Sequence, residues 1–384
     1  MSAETGALVG DSAVLEATAL PALIQALRDE GYEVIGPTAR DGAIVFSEYG
    51  PADSLPVGYE DSQEGGRYRL IKTAGRRVFD YVVGPKSLKE WFWPPRQPLW
   101  TARRGGRGSY TIDPPDPKVA PRRAFVGVRA CDLAAMAVND RTFDNGDFAD
   151  PAYLKRRDNA IFISVDCARP AATCFCASMN TGPRSSSGFD LALTELEDAD
   201  THVFLVRIGT EAGAKVVARV PHRLSVESDL ERARAVVTQA VARMERSMVP
   251  GIDALLKRNF THPRWTTVAE RCLSCGNCTM VCPTCFCSDV KDHTSLTGDV
   301  TTRVRSWDSC FTLDHSYVHG GALRQSRMSR YRQWMTHKLS SWWDQFGVSG
   351  CTGCGRCITW CPVGIDITEE ARAIAEGDLT QAAE

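Results

Sequence analysis

No stretch of this chain stays apolar long enough to span a bilayer. The most apolar candidate, residues 124–138, is interrupted by Arg129 and Asp132. Residues 1–11 lack a basic region followed by an apolar run, so no secretory leader is expected there. Neither charge is in surplus: 45 Lys and Arg against 47 Asp and Glu give a formal net charge of −2. That balance offers no global attraction to nucleic acid or to an anionic membrane. Catalytic fingerprints are missing as well. There is no G-x-S-x-G, no Walker loop and no G-x-G-x-x-G, and the run Gly105-Gly106-Arg107-Gly108 lacks the strand-to-helix setting a dinucleotide site needs. Together these absences predict a cytoplasmic chain with no nucleotide or flavin site and no catalytic residues of its own.

The length of 384 residues predicts two or three domains. Up to residue 225 the pattern is mixed α/β. Leu20, Leu23, Ile24 and Leu27 form a helical stripe that Gly31 is placed to stop, and β-rich runs follow at 43–49, 78–83, 124–128, 160–165, 203–207 and 215–220. Residues 50–66 and 103–121 read as polar loops rich in Gly and Pro. Ser228 and Glu231 suggest a capping box that opens a helix running towards Met248, and a short helix is expected over 252–258. The expected fold class is therefore α+β. A mixed α/β domain (1–225) and a helical linker (226–265) precede an α-helical ferredoxin-like domain (266–384) with an insertion at 288–350.

Fifteen cysteines are abundant. Disulfides are disfavoured in a reducing compartment, so metal binding is the default. Cys272-x2-Cys275-x2-Cys278-x3-Cys282-Pro283 recurs as Cys351-x2-Cys354-x2-Cys357-x3-Cys361-Pro362. In such runs three thiolates wrap one face of a cubane, and the fourth, before proline, commonly ligates the other cluster. The predicted sets are Cys272, Cys275, Cys278 and Cys361 for one [4Fe–4S] cluster, and Cys351, Cys354, Cys357 and Cys282 for the other. Structural zinc is the main alternative, but its modules present two separated pairs. The overlapping run Cys278-x3-Cys282-x2-Cys285 imitates a radical S-adenosylmethionine motif, yet no series of βα units follows it.

Four upstream cysteines, Cys131, Cys167, Cys174 and Cys176, are candidates for a third [4Fe–4S] cluster. The first two follow predicted strands, where ligands gather in parallel sheets, and the last two have the i, i+2 spacing that sends side chains to one side of an extended chain. Buried inert thiols are the alternative. Cys285, Cys287 and Cys310, with His315 near, are read as packing around the clusters rather than as ligands. The basic residues Arg303, Arg305, Arg324, Arg327, Arg330, Arg332 and Lys338, interleaved with Trp307, Trp334, Trp342 and Trp343, are read as a solvated helix face over aromatic packing. A zinc-binding nucleic-acid module is the remote alternative they leave open.

The phrases at 127–132 (GVRACD), 173–183 (TCFCASMNTGP), 272–287 (CLSCGNCTMVCPTCFC), 306–310 (SWDSC) and 351–362 (CTGCGRCITWCP) resemble one family. It is the 4Fe–4S dicluster family that includes β subunits of soluble sulfhydrogenases (bidirectional nickel–iron hydrogenases) and the A subunit of anaerobic sulfite reductase. The resemblance implies a non-catalytic electron-transfer subunit beside a flavin- and NAD(P)-binding subunit. Hydrogenase small and large subunits, or sulfite reductase subunits, would complete the complex. Neither nucleic acid nor membrane is expected as a partner.

Overall fold

The computed structural model describes residues 8–82, 84–114 and 120–378. Its first core is an eight-stranded sheet in the order Arg223–Leu224, Ser12–Glu16, His202–Ile208, Leu191–Glu197, Ala160–Val165, Arg123–Arg129, Glu33–Arg40, Ala43–Glu48. The middle four strands pair in parallel and the outer ones antiparallel. Strands covered on both faces read as unbroken apolar runs, and Arg123–Arg129 is buried from Ala124 onward. Helix Leu20–Asp29 packs Leu20, Leu23, Ile24 and Leu27 onto the sheet, and Gly31, with φ of +83°, ends it. The parallel strands end where Cys131 and Cys167 begin.

Several local features differ from the sequence reading, and the differences have physical causes. The described part of the run 78–83 is buried but is not a strand. Its amides are taken by carboxylates instead of a ladder: Val78 and Phe79 donate to Glu195 at 2.7 and 3.0 Å, and Val82 to Asp61 at 2.8 Å. The run 215–220 begins in a helix, Glu211–Val217, whose N-cap Thr210 accepts from Gly213 N–H, and ends in the turn after it. Val216, Val217 and Val220, all buried, sit at helical spacing, which a short window cannot tell from strand. The later helix starts at Glu227, with the Asp229 carboxylate accepting from Val226 N–H at 3.0 Å, and ends at Ala242. The short helix Ile252–Arg258 stands where the spacing places it.

A second sheet joins distant parts of the chain. Its order is Ser288–Thr294, Val300–Trp307, Arg96–Arg104, Tyr110–Asp113. The insertion thus opens with a β-hairpin, and the described residues of the presumed loop 103–121 include strand; residues 115–119 lie outside the described set. The Arg305 guanidinium pins this sheet by donating to Asp150 Oδ2 at 2.6 Å and to Gln97 Oε1 at 2.9 Å.

The remaining helices, Arg264–Arg271, Arg327–Thr336, Trp342–Phe346 and Ile367–Glu376, enclose a third body of packing. Trp265, Leu256, Met335, Leu339, Ile358 and Ile374 touch Cys272 and Cys351 there. A π-helical turn, His337–Ser341, interrupts the long helix. No helix among the described residues is long and apolar enough to cross a membrane.

Candidate metal centre

Cys272 caps helix Arg264–Arg271 in extended conformation, and the chain then reverses through Ser274 (φ +52°) and Gly276 (φ +77°) into the turn Asn277–Met280. That path folds three cysteines back on themselves. Cys272, Cys275 and Cys278 line one cavity of about 30 Å³ with Cys357, Cys361, Phe311, Tyr331 and Trp334. The first cavity thus brings Cys361 of the second motif beside Cys272, Cys275 and Cys278, and Cys357 borders it as well. Cys282 has influence beyond its own motif: the thiols of Cys351, Cys354 and Cys357 each sense its charge, as does that of Cys278.

The surroundings suit sulfur-rich, negatively charged groups. Backbone N–H groups of Ser274, Gly353 and Ile365 point at the sulfurs of Cys272, Cys351 and Cys361 at 3.4, 3.5 and 3.3 Å. The Tyr331 hydroxyl lines the first cavity and is buried with no hydrogen-bond partner, a donor placed for a cluster sulfide. Burial pushes the Cys278 and Cys357 thiols well above the ordinary range and Cys351 up to about 12. Bare thiolates are thus unfavourable, and a metal is what would hold them ionised. No three His, Cys, Asp or Glu side chains among the described residues converge as a single metal ion requires. A cubane does not ask for that, because each of its ligands binds a different iron.

Buried cations complete the setting. Lys338 Nζ donates to Cys282 Sγ, Thr284 Oγ1 and the Gly350 carbonyl, each at 3.1 Å. Burial alone would lower its pKa; the Cys282, Cys285 and Cys351 thiolates reverse this and raise it. Arg356 is paired with Asp132 at 2.8 Å beside Cys354. The insertion's basic residues are therefore only partly a solvated face: Lys338 and Arg330 are buried, and Arg303 and Arg305 lie on a strand. The aromatic packing beneath is present in Trp334 and Trp342, while Trp343 is exposed.

The upstream cysteines lie against the second motif. Phe175 N–H donates to the Gly353 carbonyl at 2.9 Å, Thr173 and Thr359 share a hydroxyl contact of 2.8 Å, and Thr181 bonds the Thr352 carbonyl at 2.6 Å. A Cβ at Gly353 would come within 2.6 Å of the Cys176 backbone, so only glycine allows this approach. Cys131 and Cys176 pack with Cys354, whereas Cys167 and Cys174 pack with Val82 and Ala171. Electrostatic contact links the two pairs, since Cys176 and Cys174 both sense Cys167. Arg129 is buried with Nη1 3.7 Å from Cys167 Sγ, and no carboxylate lies within ion-pair distance of it among the described residues. Sequence inspection overlooked Arg129, Asp132 and Arg356 as site residues. The signal was present in Arg129 and Asp132, two charges inside an otherwise apolar run.

Cys285, Cys287 and Cys310 line a separate cavity with Trp334, His337, Lys338 and Trp342. His315 touches Cys287 and is held by Asp308 at 2.8 Å.

Comparison with known proteins agrees with this chemistry. The family model for the 4Fe–4S dicluster domain matches residues 271–365. The chain is also 29% identical over 321 residues to sulfhydrogenase 2 subunit beta of Pyrococcus furiosus, an alignment covering 81% of this chain and 89% of that protein.

Proposed function

We propose that this chain, which carries a 4Fe–4S dicluster domain over residues 271–365, relays single electrons between partner subunits of a cytoplasmic oxidoreductase. The observation behind this reading is Cys361 of the second motif lining the cavity of the first, beside Cys272, Cys275 and Cys278. Cys272, Cys275, Cys278 and Cys361 would hold one [4Fe–4S] cluster. Cys351, Cys354, Cys357 and Cys282 would hold the other. Such clusters supply one-electron chemistry, and the chain's own residues would set their environment: Lys338 and Arg356 offset negative charge, and the aromatic shell of Phe311, Tyr331 and Trp334 keeps water away. The cluster-bearing unit would span 266–384, reached from the α/β unit through 226–265.

A third cluster on Cys131, Cys167, Cys174 and Cys176 belongs to the same proposal. Its support is the buried Arg129 beside Cys167, which donates to the Phe79 and Tyr81 carbonyls but has no carboxylate within ion-pair distance among the described residues, since a buried cation favours a nearby anion. Similarity to a sulfhydrogenase beta subunit supports a hydrogenase-type complex, with a flavin- and NAD(P)-binding subunit and nickel–iron hydrogenase subunits as partners.

Metal and sulfide analysis of anaerobically prepared chain tests the core of the reading. At least about eight iron and eight sulfide per chain are expected, two cubanes' worth. Stoichiometric zinc with negligible iron refutes it. The isolated chain should accept electrons from a strong reductant and oxidise no NAD(P)H. Co-purification with a sirohaem subunit in place of a nickel subunit would move the chain to a sulfite reductase-type complex.

A further inference from the structure

We infer that Cys285, Cys287 and Cys310 hold an additional iron–sulfur cluster, in a cavity distinct from the two ferredoxin motifs and from the upstream cysteines. The sequence alone favours reading these thiols as packing. The structure favours a site, on four observations.

The three cysteines come from two separated segments, and both line one cavity of about 30 Å³, the size of the cavity within the first ferredoxin motif. Packing cysteines would fill space, whereas these three border it. Second, two buried indoles of its lining, Trp334 and Trp342, have Nε1–H groups with no hydrogen-bond partner, at 4% and 1% exposure. A buried N–H without an acceptor is costly, and cluster sulfides are acceptors. Third, the cavity is bordered by a fully buried ammonium, Lys338, and Lys89 Nζ bonds the Cys285 carbonyl at 3.0 Å from the other side. Two cations buried here suit a thiolate-ligated, negatively charged occupant. Fourth, His337 and Lys338 reach the cavity from a π-helical turn, a distortion that recurs at functional sites because it re-aims side chains.

Three thiolates would hold the cluster, and His337 lines the same cavity. His315, fixed by Asp308, hydrogen-bonds the Cys287 sulfur as an outer-shell group. Cys285 contacts Cys282 and Cys310 senses Cys278, so the site adjoins both motif sets.

The test begins with crystals of the full, anaerobically prepared chain, with anomalous maps on both sides of the iron and zinc edges. Iron density in this cavity supports the inference. A cavity without iron in crystals whose motif sites contain it, or zinc in its place, overturns it. In solution, the variant Cys285→Ser/Cys287→Ser/Cys310→Ser should lose about four iron and four sulfide relative to the unaltered chain and keep the motif clusters' signals. Unchanged iron in this variant refutes the site. If the variant does not fold, the crystallographic measurement on the unaltered chain decides.

Discussion

Replacing Lys338 by methionine removes a positive charge next to Cys282 with little change in shape. The ammonium sits 3.1 Å from the Cys282 sulfur and is fully enclosed, so solvent screens it poorly. An electron added to a cluster spreads over its whole core, so an effective separation of about 6 Å, twice the Nζ–Sγ distance, is appropriate. With an effective dielectric constant of about 20, the lost attraction is roughly 2.8 kcal/mol. That is about two decades in the reduction equilibrium, or ~120 mV for a one-electron couple. Relaxation of neighbouring dipoles trims the effect, so a downward shift on the order of 100 mV is expected for the cluster assigned to Cys282, Cys351, Cys354 and Cys357. Anaerobic redox titration followed by electron paramagnetic resonance reads it directly. Lys291, exposed on the hairpin and paired with Asp289, is the control: Lys291→Met should leave every potential unchanged. An upward shift in Lys338→Met, or a downward one below about 20 mV with iron content intact, would refute the electrostatic role of Lys338.

Crossed ligation predicts that Cys361→Ser alters the spectrum of the cluster near Cys272, Cys275 and Cys278; an effect confined to the cluster near Cys351 would contradict it. Gly353→Ala should lower stability by about 2–5 kcal/mol, from a left-handed backbone and a collision with the Cys176 backbone. Gly298→Ala, where nothing lies within 4 Å, should cost only the backbone part, and equal thermal midpoints for the two variants would dismiss the contact. Asp150→Ala should cost about 2 kcal/mol, because this carboxylate caps helix Pro151–Asp158 and also pairs with Arg305. Denaturant midpoints at neutral pH measure it, and Arg305→Met should recover the pairing part but not the capping part.

The motif cysteines were legible because a cubane imposes a spacing on the chain, and spacing survives in one dimension. The proposed crossing of Cys282 and Cys361 rests on that same constraint. What could not be read are features that depend on partners far along the chain. The backbone of Val78, Phe79 and Val82 is satisfied by Glu195 and Asp61, so an apolar run that looks like a strand makes no ladder. Lys338 looked solvated because helical periodicity assumes an unbroken helix, and the π-turn at His337–Ser341 shifts the faces beyond it. Strand Arg96–Arg104 was hidden because its partner, Val300–Trp307, lies some two hundred residues away and neither edge signals the other.

That long-range pairing has a consequence for how the protein is made. During synthesis, residues 96–113 can form their own hairpin early, but one edge stays open until residue 307 has left the ribosome. An open strand edge is a template for the wrong partner. The nascent chain therefore carries a vulnerable edge through most of its synthesis, and the exposed strand Tyr110–Asp113 would lengthen any mispaired ladder. Arg103 and Arg104 on strand Arg96–Arg104, like-charged in every copy, would repel a second nascent chain aligned in register. A shortage of chaperones should therefore reduce the yield of this protein more through its N-terminal half than through its cysteine-rich end.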